Sequence, residues 1–308
     1  MAIRVLITGA AGYVGLRLLP LLAAKQGVVL RVLVKDAQLL PALDPAIEVI
    51  EGDLLDLDTA CRAVQGIEVI YDLTHGMAAD GSDFCDREVL SASHLTEAAR
   101  QAGVKRIIYL SSLGCEGKAP SPQLRTLHLV GEVLRCSGVP VTEFRTGPVI
   151  GKGTYGFEIL RRWVERLPLL LAYSWGRARL QPIAIADLLH YLEAGLSLPA
   201  STGKILEVGG QDILSLQEMM QGYAQLRGLK RFFIPALWSL PWAVSLWLSL
   251  VTRIPVRVVR AWIDQVRCEA LVTQPLAREL FAFEPMSYRD AVQAALSECD
   301  PPSSLSGR

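Results

Sequence analysis

The residues most able to do chemistry stand together near the start of the chain, in TGAAGYVG, Thr8 to Gly15. Gly9, Gly12 and Gly15 are spaced GxxGxxG between an apolar run, IRVLIT, and a helical pattern, YVGLRLLPLLAAKQG. The three glycines serve different ends. Gly9 permits a tight turn, Gly12 lets backbone approach a pyrophosphate, and Gly15 allows close packing of helix on strand. The phosphates of a dinucleotide then rest on the helix N-terminus, among Thr8, Tyr13 and Val14. A glycine turn that binds nothing is the alternative, and the flanking strand and helix argue against it.

A dinucleotide site decides between a ribose hydroxyl and a 2′-phosphate at the end of the second strand, where an acid takes the first and a base the second. That strand ends VLVKDA; Lys35 holds the position, Arg31 lies four residues earlier and Asp36 follows. NADP is therefore expected, with NAD as the alternative. At the end of the third strand EGDLLD offers Asp53 and Leu54 to the adenine. Thr74 and His75 follow the fourth strand, and Arg145 and Thr146 end the sixth, all facing the crevice outside the carboxyl ends of the strands where such sheets bind ligands. Arg177, Arg179 and Gln181 are expected either to meet a polar substrate group or to be plain surface.

These positions require a particular frame. Short apolar runs at 3–8, 28–35, 47–53, 67–73, 105–112 and 140–147 alternate with helical patterns near 57–64, 86–102 and 122–137. Gly27, Gly66, Gly103 and Gly138 each stand just before a strand, where a helix ends. Strands apolar on both faces and joined by helices mean a parallel sheet covered on both sides, a doubly wound α/β fold. Residues 1–150 form the dinucleotide-binding core. Residues 151–298 hold too few strands for a core of their own; they extend the sheet and add a small lobe, with helices near 155–167 and 214–228, the latter capped by Ser215. Residues 299–308 read as a flexible tail.

One segment departs from this pattern. Residues 232–251 are twenty residues without a charge, carrying Trp238, Trp242 and Trp247. Pro241 leaves only about ten clean residues after it, roughly 15 Å of helix. Burial in the lobe as a substrate lid is expected, with an interfacial amphiphile and a transmembrane span as alternatives.

Composition narrows the class. Lys+Arg and Asp+Glu each total 31 in 308 residues, so nothing recommends nucleic acid as a partner. Six dispersed cysteines and four histidines assemble no zinc pattern and are expected as free thiols and scattered rings, so no metal is implied. The N-terminus lacks a leader pattern, and a cytoplasmic protein is expected.

Read in order, TGAAGYVG, GDLLD, AGVKRIIYLSSLG, GEVLRCSGVPVTEFRTGPVIG, QPIAIADLLHYL and ILEVGG resemble the short-chain dehydrogenase/reductase superfamily. The likeness is strongest to its atypical NAD(P)H-binding, NmrA-like and epimerase-like members, with their Rossmann fold. The resemblance implies a Tyr-xxx-Lys pair on the helix after the fifth strand, Tyr passing the proton and Lys lowering its pKa. Registered on GEVLRCSG, that helix carries Leu124 and His128 instead, so the pair is absent. The resemblance also implies a carbonyl-binding hydroxyl at Ser111 or Ser112, with a polar strand end as the plain alternative. The expected function is an NADP(H)-dependent oxidoreductase for a small or lipophilic organic substrate, in a pocket roofed by 155–180 and 230–265. Ser111 or Ser112 would bind the oxygen, with His128 or a water relaying the proton. A catalytically silent redox sensor or assembly factor is the alternative, and peripheral membrane contact is a further expected partner interaction.

Overall fold

The structure, a computed structural model, describes residues 2–74, 84–114, 121–235 and 241–299. The first half runs β1 (Ile3–Thr8), α1 (Tyr13–Ala23), β2 (Val28–Val34), β3 (Glu48–Glu51), α2 (Leu57–Val64), β4 (Val69–Asp72), α3 (Phe84–Ala102), β5 (Arg106–Ser112), α4 (Pro122–Arg135) and β6 (Val141–Thr146). The second half adds β7 (Val149–Ile150), α5 (Tyr155–Arg166), β8 (Leu169–Ala172), β9 (Arg179–Leu180), β10 (Ile183–Ala184), α6 (Ile185–Ser197), β11 (Ile205–Val208), β12 (Leu214–Ser215) and α7 (Leu216–Leu226). It closes with β13 (Phe232–Pro235), α8 (Pro241–Thr252), α9 (Val256–Val266), α10 (Leu276–Phe281) and α11 (Tyr288–Cys299).

Seven strands make one sheet in the order β11-β6-β5-β4-β1-β2-β3, and all its pairings are parallel. Alternation along each strand feeds two cores at once. On β1, Val5 and Ile7 join α1 and α6 on one face, while Leu6 joins α2, α3 and α4 on the other. Covering both faces is what the continuous apolar runs require. Gly27, Gly66, Gly103 and Gly138 all have positive φ, as their place between helix and strand demands. Helix starts are set by side chains: Asp56 caps α2, Ser121 caps α4 with Pro122 behind it, and Ser215 with Glu218 closes a capping box on α7.

The lobe corrects the expectation drawn from its few strands. It owns a core, built by helices: α5, α7, α8, α9 and α11 meet around Trp163, Tyr223, Leu248 and Trp262. Trp163 is fully buried and stands edge-on to Trp262 and Trp247, at 6.5 and 6.4 Å between ring centres. β11 extends the sheet as expected, and the lobe meets the carboxyl end of β5 through α9. Among the described residues α8 begins at Pro241 and is 12 residues long. No helix among the described residues is long and apolar enough to cross a membrane.

Candidate functional site

The turn between β1 and α1 is shaped by contacts that only glycine tolerates. Gly9 has φ +70°, and a Cβ there would lie 2.5 Å from the Leu73 carbonyl oxygen. A Cβ on Gly15 would lie 2.5 Å from the Gly9 oxygen and 2.8 Å from the Ala10 Cα, so α1 packs directly on the turn. Gly12 differs: its backbone is extended, at φ −74° and ψ 168°, and the nearest atom to a Cβ is the Gly9 oxygen at 3.0 Å. Gly12 caps α1 with no side-chain hydrogen bond, so the first-turn N–H groups of α1 face the crevice without a side-chain acceptor. This cradle suits a pyrophosphate: donors, a helix N-terminus and space that a side chain at Gly12 would fill.

Thr8 and Thr74 take a different part. The Thr8 hydroxyl, buried, donates to Asp72 Oδ1 at 2.8 Å, and the Thr74 N–H donates to the same oxygen at 3.2 Å. They pin the ends of β1 and β4 together and so hold the turn. Tyr13 lines the crevice with its ring under the Arg17 guanidinium, 3.8 Å from the ring centre. His75 lies outside the described residues.

At the far end of the crevice Lys35 is exposed and reaches Asp53, Nζ to Oδ2 at 2.9 Å. Burial opposes ionisation of Asp53, but hydrogen bonds from Lys35 and the Leu55 N–H outweigh it and hold the carboxyl below its ordinary range. Arg31 plays no part here. Its guanidinium is committed to Glu48 at 2.7 Å and to the Ala63 and Gln65 carbonyls at 2.8 Å each. Leu54 turns into the core beside α2 and α3 rather than toward the crevice. Sequence reasoning missed Glu88, on the first turns of α3. Burial first, and then the Asp72 carboxylate, push it up to about 7, with Lys35 and Arg87 pulling the other way. Nothing in FCDREVL separates it from an ordinary solvated helix residue.

From the cradle a cavity of about 650 Å³ runs past the ends of β5 and β6 into the lobe. Its walls include Leu110, Leu124, Leu127, Leu160, Met219 and Trp262, and its polar groups include Ser111, Ser112, Thr146 and Gln265. Gln265, from α9, donates to Ser112 Oγ at 3.1 Å. Ser111 Oγ is buried beside the Tyr109 hydroxyl. No Asp, Glu, Lys, Arg or His belongs to this lining among the described residues.

The structure therefore brings Gly12, Tyr13, Val14, Gly15, Ser111 and Ser112 to one cavity, and leaves other expected residues outside its lining. His128 donates from Nε2 to the Ser112 carbonyl at 3.2 Å. Burial, reinforced by nearby Arg145, holds it below the usual histidine range, so it is neutral near pH 7. Arg145 is spent on Glu143, wholly buried, at 2.8 Å, and Arg135 pairs with the other carboxylate oxygen. Gln181 bridges the Gly210 carbonyl and the Val272 N–H, at 2.7 and 3.0 Å, while Arg179 pairs with Glu218 on the surface. Residues 155–157 and 160 of the expected 155–180 roof line the cavity, as do Trp262 and Gln265 of the expected 230–265 roof; none of the described residues of 232–252 does, and α7 supplies a further wall. Gln265, Trp262 and Met219 lie far from any motif, and their amphipathic helices announce a buried face without saying what it meets.

Comparison with known proteins agrees with this geometry. Residues 9–148 match the NAD(P)H-binding family model. The chain is 36% identical over 118 residues to the 3β-hydroxysteroid dehydrogenase/Δ5→4-isomerase of Mycobacterium tuberculosis, a match covering 35% of this chain and 31% of that protein. The chain thus spans about a third of the length of the first curated relatives it matches. It is 26% identical over 227 residues to a photosystem II assembly factor of Trieres chinensis, covering 70% of this chain and 69% of that one. In fold it is similar to an NADPH-dependent quinone oxidoreductase of Escherichia coli solved with NADPH, with a TM-score of 0.72 and 18% identity over 95% of this chain and 99% of that one. Residues 9–148 thus match an NAD(P)H-binding domain, and the fold of the chain is that of the quinone oxidoreductase.

Proposed function

We propose that the protein is a cytoplasmic, NADP(H)-dependent oxidoreductase of the atypical short-chain type, acting on an uncharged, lipophilic organic molecule. The observation that carries this reading is the cavity itself: about 650 Å³, continuous with the glycine cradle and walled by apolar side chains. Bound NAD(P)H supplies hydride chemistry. The N–H groups of the α1 first turn hold its phosphates, Ser112 and Gln265 offer hydrogen bonds to a substrate oxygen, and Leu127, Met219 and Trp262 keep water out. A charged ligand would lose its hydration there with no counter-ion among the described lining residues, which favours an uncharged one. The names of the similar proteins, a steroid dehydrogenase and a quinone oxidoreductase, support a lipophilic carbonyl or quinone as substrate. Lys35 supports NADP over NAD through its reach toward a 2′-phosphate.

A second reading, a silent nucleotide-binding sensor or assembly factor, is favoured by Leu124 at the tyrosine position and by the likeness to an assembly factor over 70% of the chain. One experiment separates the two. NADPH consumption is followed with a panel of hydrophobic ketones and quinones, in the wild type and in Met219→Trp, which fills the cavity. Turnover by the wild type that Met219→Trp loses, while still binding NADPH, supports the enzyme. NADPH bound but consumed with none of the panel supports the sensor.

A further inference from the structure

Six large apolar side chains are more than half exposed among the described residues, and five of them belong to the outer face of the lobe: Leu250 at 74%, Phe232 at 65%, Trp242 at 60%, Leu246 at 53% and Leu169 at 51%. Trp242, Leu246 and Leu250 recur every fourth residue, which places them in one stripe along α8. The opposite face of α8 is buried through Val244, Ser245, Leu248 and Thr252. Trp247 is anchored against Trp163. Phe232 and Leu169 are register partners across β13 and β8. Arg166, three residues before Leu169, donates to the Val251 carbonyl beside Leu250, so the strand pair adjoins the end of the stripe.

Charge points to what this face meets. The whole chain is neutral, yet residues 227–263 hold six cations and no Asp or Glu. Arg227 pairs with Glu165 and Arg231 is spent on the Val164, Lys230 and Glu165 carbonyls, so the cations to weigh are Lys230, Arg253, Arg257 and Arg260. Lys230, Arg253, Arg257 and Arg260 are all solvent-accessible, and α8 itself carries no charge. An apolar stripe with tryptophan at one end and cations around it matches an anionic bilayer surface. There indole and leucine enter the headgroup boundary and the cations meet lipid phosphates. A second copy of the chain is a poor match, since pairing this face with itself opposes like charges. Spanning is excluded for α8 by its 12 residues. We propose that the outer face of the lobe, α8 with β8 and β13, docks the protein peripherally on anionic membranes, whatever the cavity binds.

The test is flotation of the full-length protein with phosphatidylcholine vesicles, with and without phosphatidylglycerol, at low and high salt. The wild type is expected to float with phosphatidylglycerol vesicles at low salt and to be released by salt. Leu246→Glu with Leu250→Glu should abolish flotation, and Arg260→Glu should weaken it by about fivefold or more, the worth of one basic residue at such a surface. All three positions are exposed, and retained NADPH binding checks that the variants fold. The proposal is overturned if the wild type does not float with phosphatidylglycerol vesicles, or if the double glutamate variant floats equally well. It is also overturned if the wild type ignores vesicles but is a dimer that the double variant splits.

Discussion

The three glycines of the cradle make separable predictions, because their surroundings differ. In Gly15→Ala the new Cβ meets backbone atoms at 2.5 and 2.8 Å, and backbone cannot swing aside. α1 must lift from the turn, at about 1–3 kcal/mol of stability. In Gly9→Ala the positive φ alone costs about 1–2 kcal/mol, before the Cβ meets the Leu73 carbonyl at 2.5 Å. Gly12 is extended, and its Cβ has one neighbour at 3.0 Å, so Gly12→Val should keep the fold to within about 1 kcal/mol. Its cost falls on the ligand. Pushing a pyrophosphate off one charge-assisted N–H is worth about 1.5–3 kcal/mol, a loss of roughly 10- to 150-fold in affinity. NADPH titration by fluorescence, run beside urea unfolding, reads both quantities. The expected pattern is Gly12→Val stable but weakened in NADPH binding by that factor, with Gly9→Ala and Gly15→Ala impaired in stability first. If Gly12→Val binds NADPH as the wild type does, or unfolds as readily as Gly15→Ala, the assignment of the cradle is wrong.

Two further perturbations probe the ribose end. NADPH should bind more tightly than NADH, Lys35→Asp should narrow or reverse that preference, and Arg31→Ala should lower stability while leaving it unchanged; equal wild-type affinities for the two nucleotides would sink the idea. Glu88 holds its proton more tightly in the folded chain than when unfolded, since its pKa is raised from 4.5 to about 7. Its penalty is therefore absent below the lower value, grows as pH rises between the two, and is complete above the higher one. Glu88→Gln should match the wild type in acid and exceed it in alkali, by at most about 3 kcal/mol given its partial exposure. Urea midpoints across that window check the sign, and a gap that opens toward acid would refute it.

Much of the frame was legible because parallel strands buried on both faces leave continuous apolar runs such as IRVLIT, and because Gly27, Gly66, Gly103 and Gly138 mark where helices stop. The phosphate cradle was legible for the same local reason. What failed was depth and partner. Arg31 lies on β2 and Lys35 just past its end, in the same alternation, but four residues of strand are about 13 Å, enough to bury one guanidinium and leave one ammonium exposed beside Asp53. Residues 232–251 looked uniformly apolar and so destined for burial. Yet only one face of α8 found the core, while Trp242, Leu246 and Leu250 did not. The lobe core joins Trp163, Tyr223, Trp262 and Val292, residues from four helices, and no local pattern states which amphipathic faces will meet.

The same division explains why sequence reasoning found Ser111 and Ser112 at this end of the cavity but not the partner that Gln265 gives Ser112. The sheet contributes Ser112 from the end of β5, and α9 of the lobe contributes Gln265, so the polar pair exists only when the two bodies pack. His128, adjacent to this pair in space, is tied to the Ser112 carbonyl and depressed by burial and Arg145, so it adds no charge to the cavity. Leu124 adds none either. A cavity whose described lining carries no Asp, Glu, Lys, Arg or His has a physical consequence. Hydrogen bonds from Ser112 and Gln265 act in low dielectric, where they are stronger than in water, but they can compensate only a dipole, not an ion. Leu124 in place of the tyrosine and a lining without Asp, Glu, Lys, Arg or His among the described residues thus fit together: both suit the proposed uncharged ligand, with Ser112 and Gln265 to orient one polar atom on it.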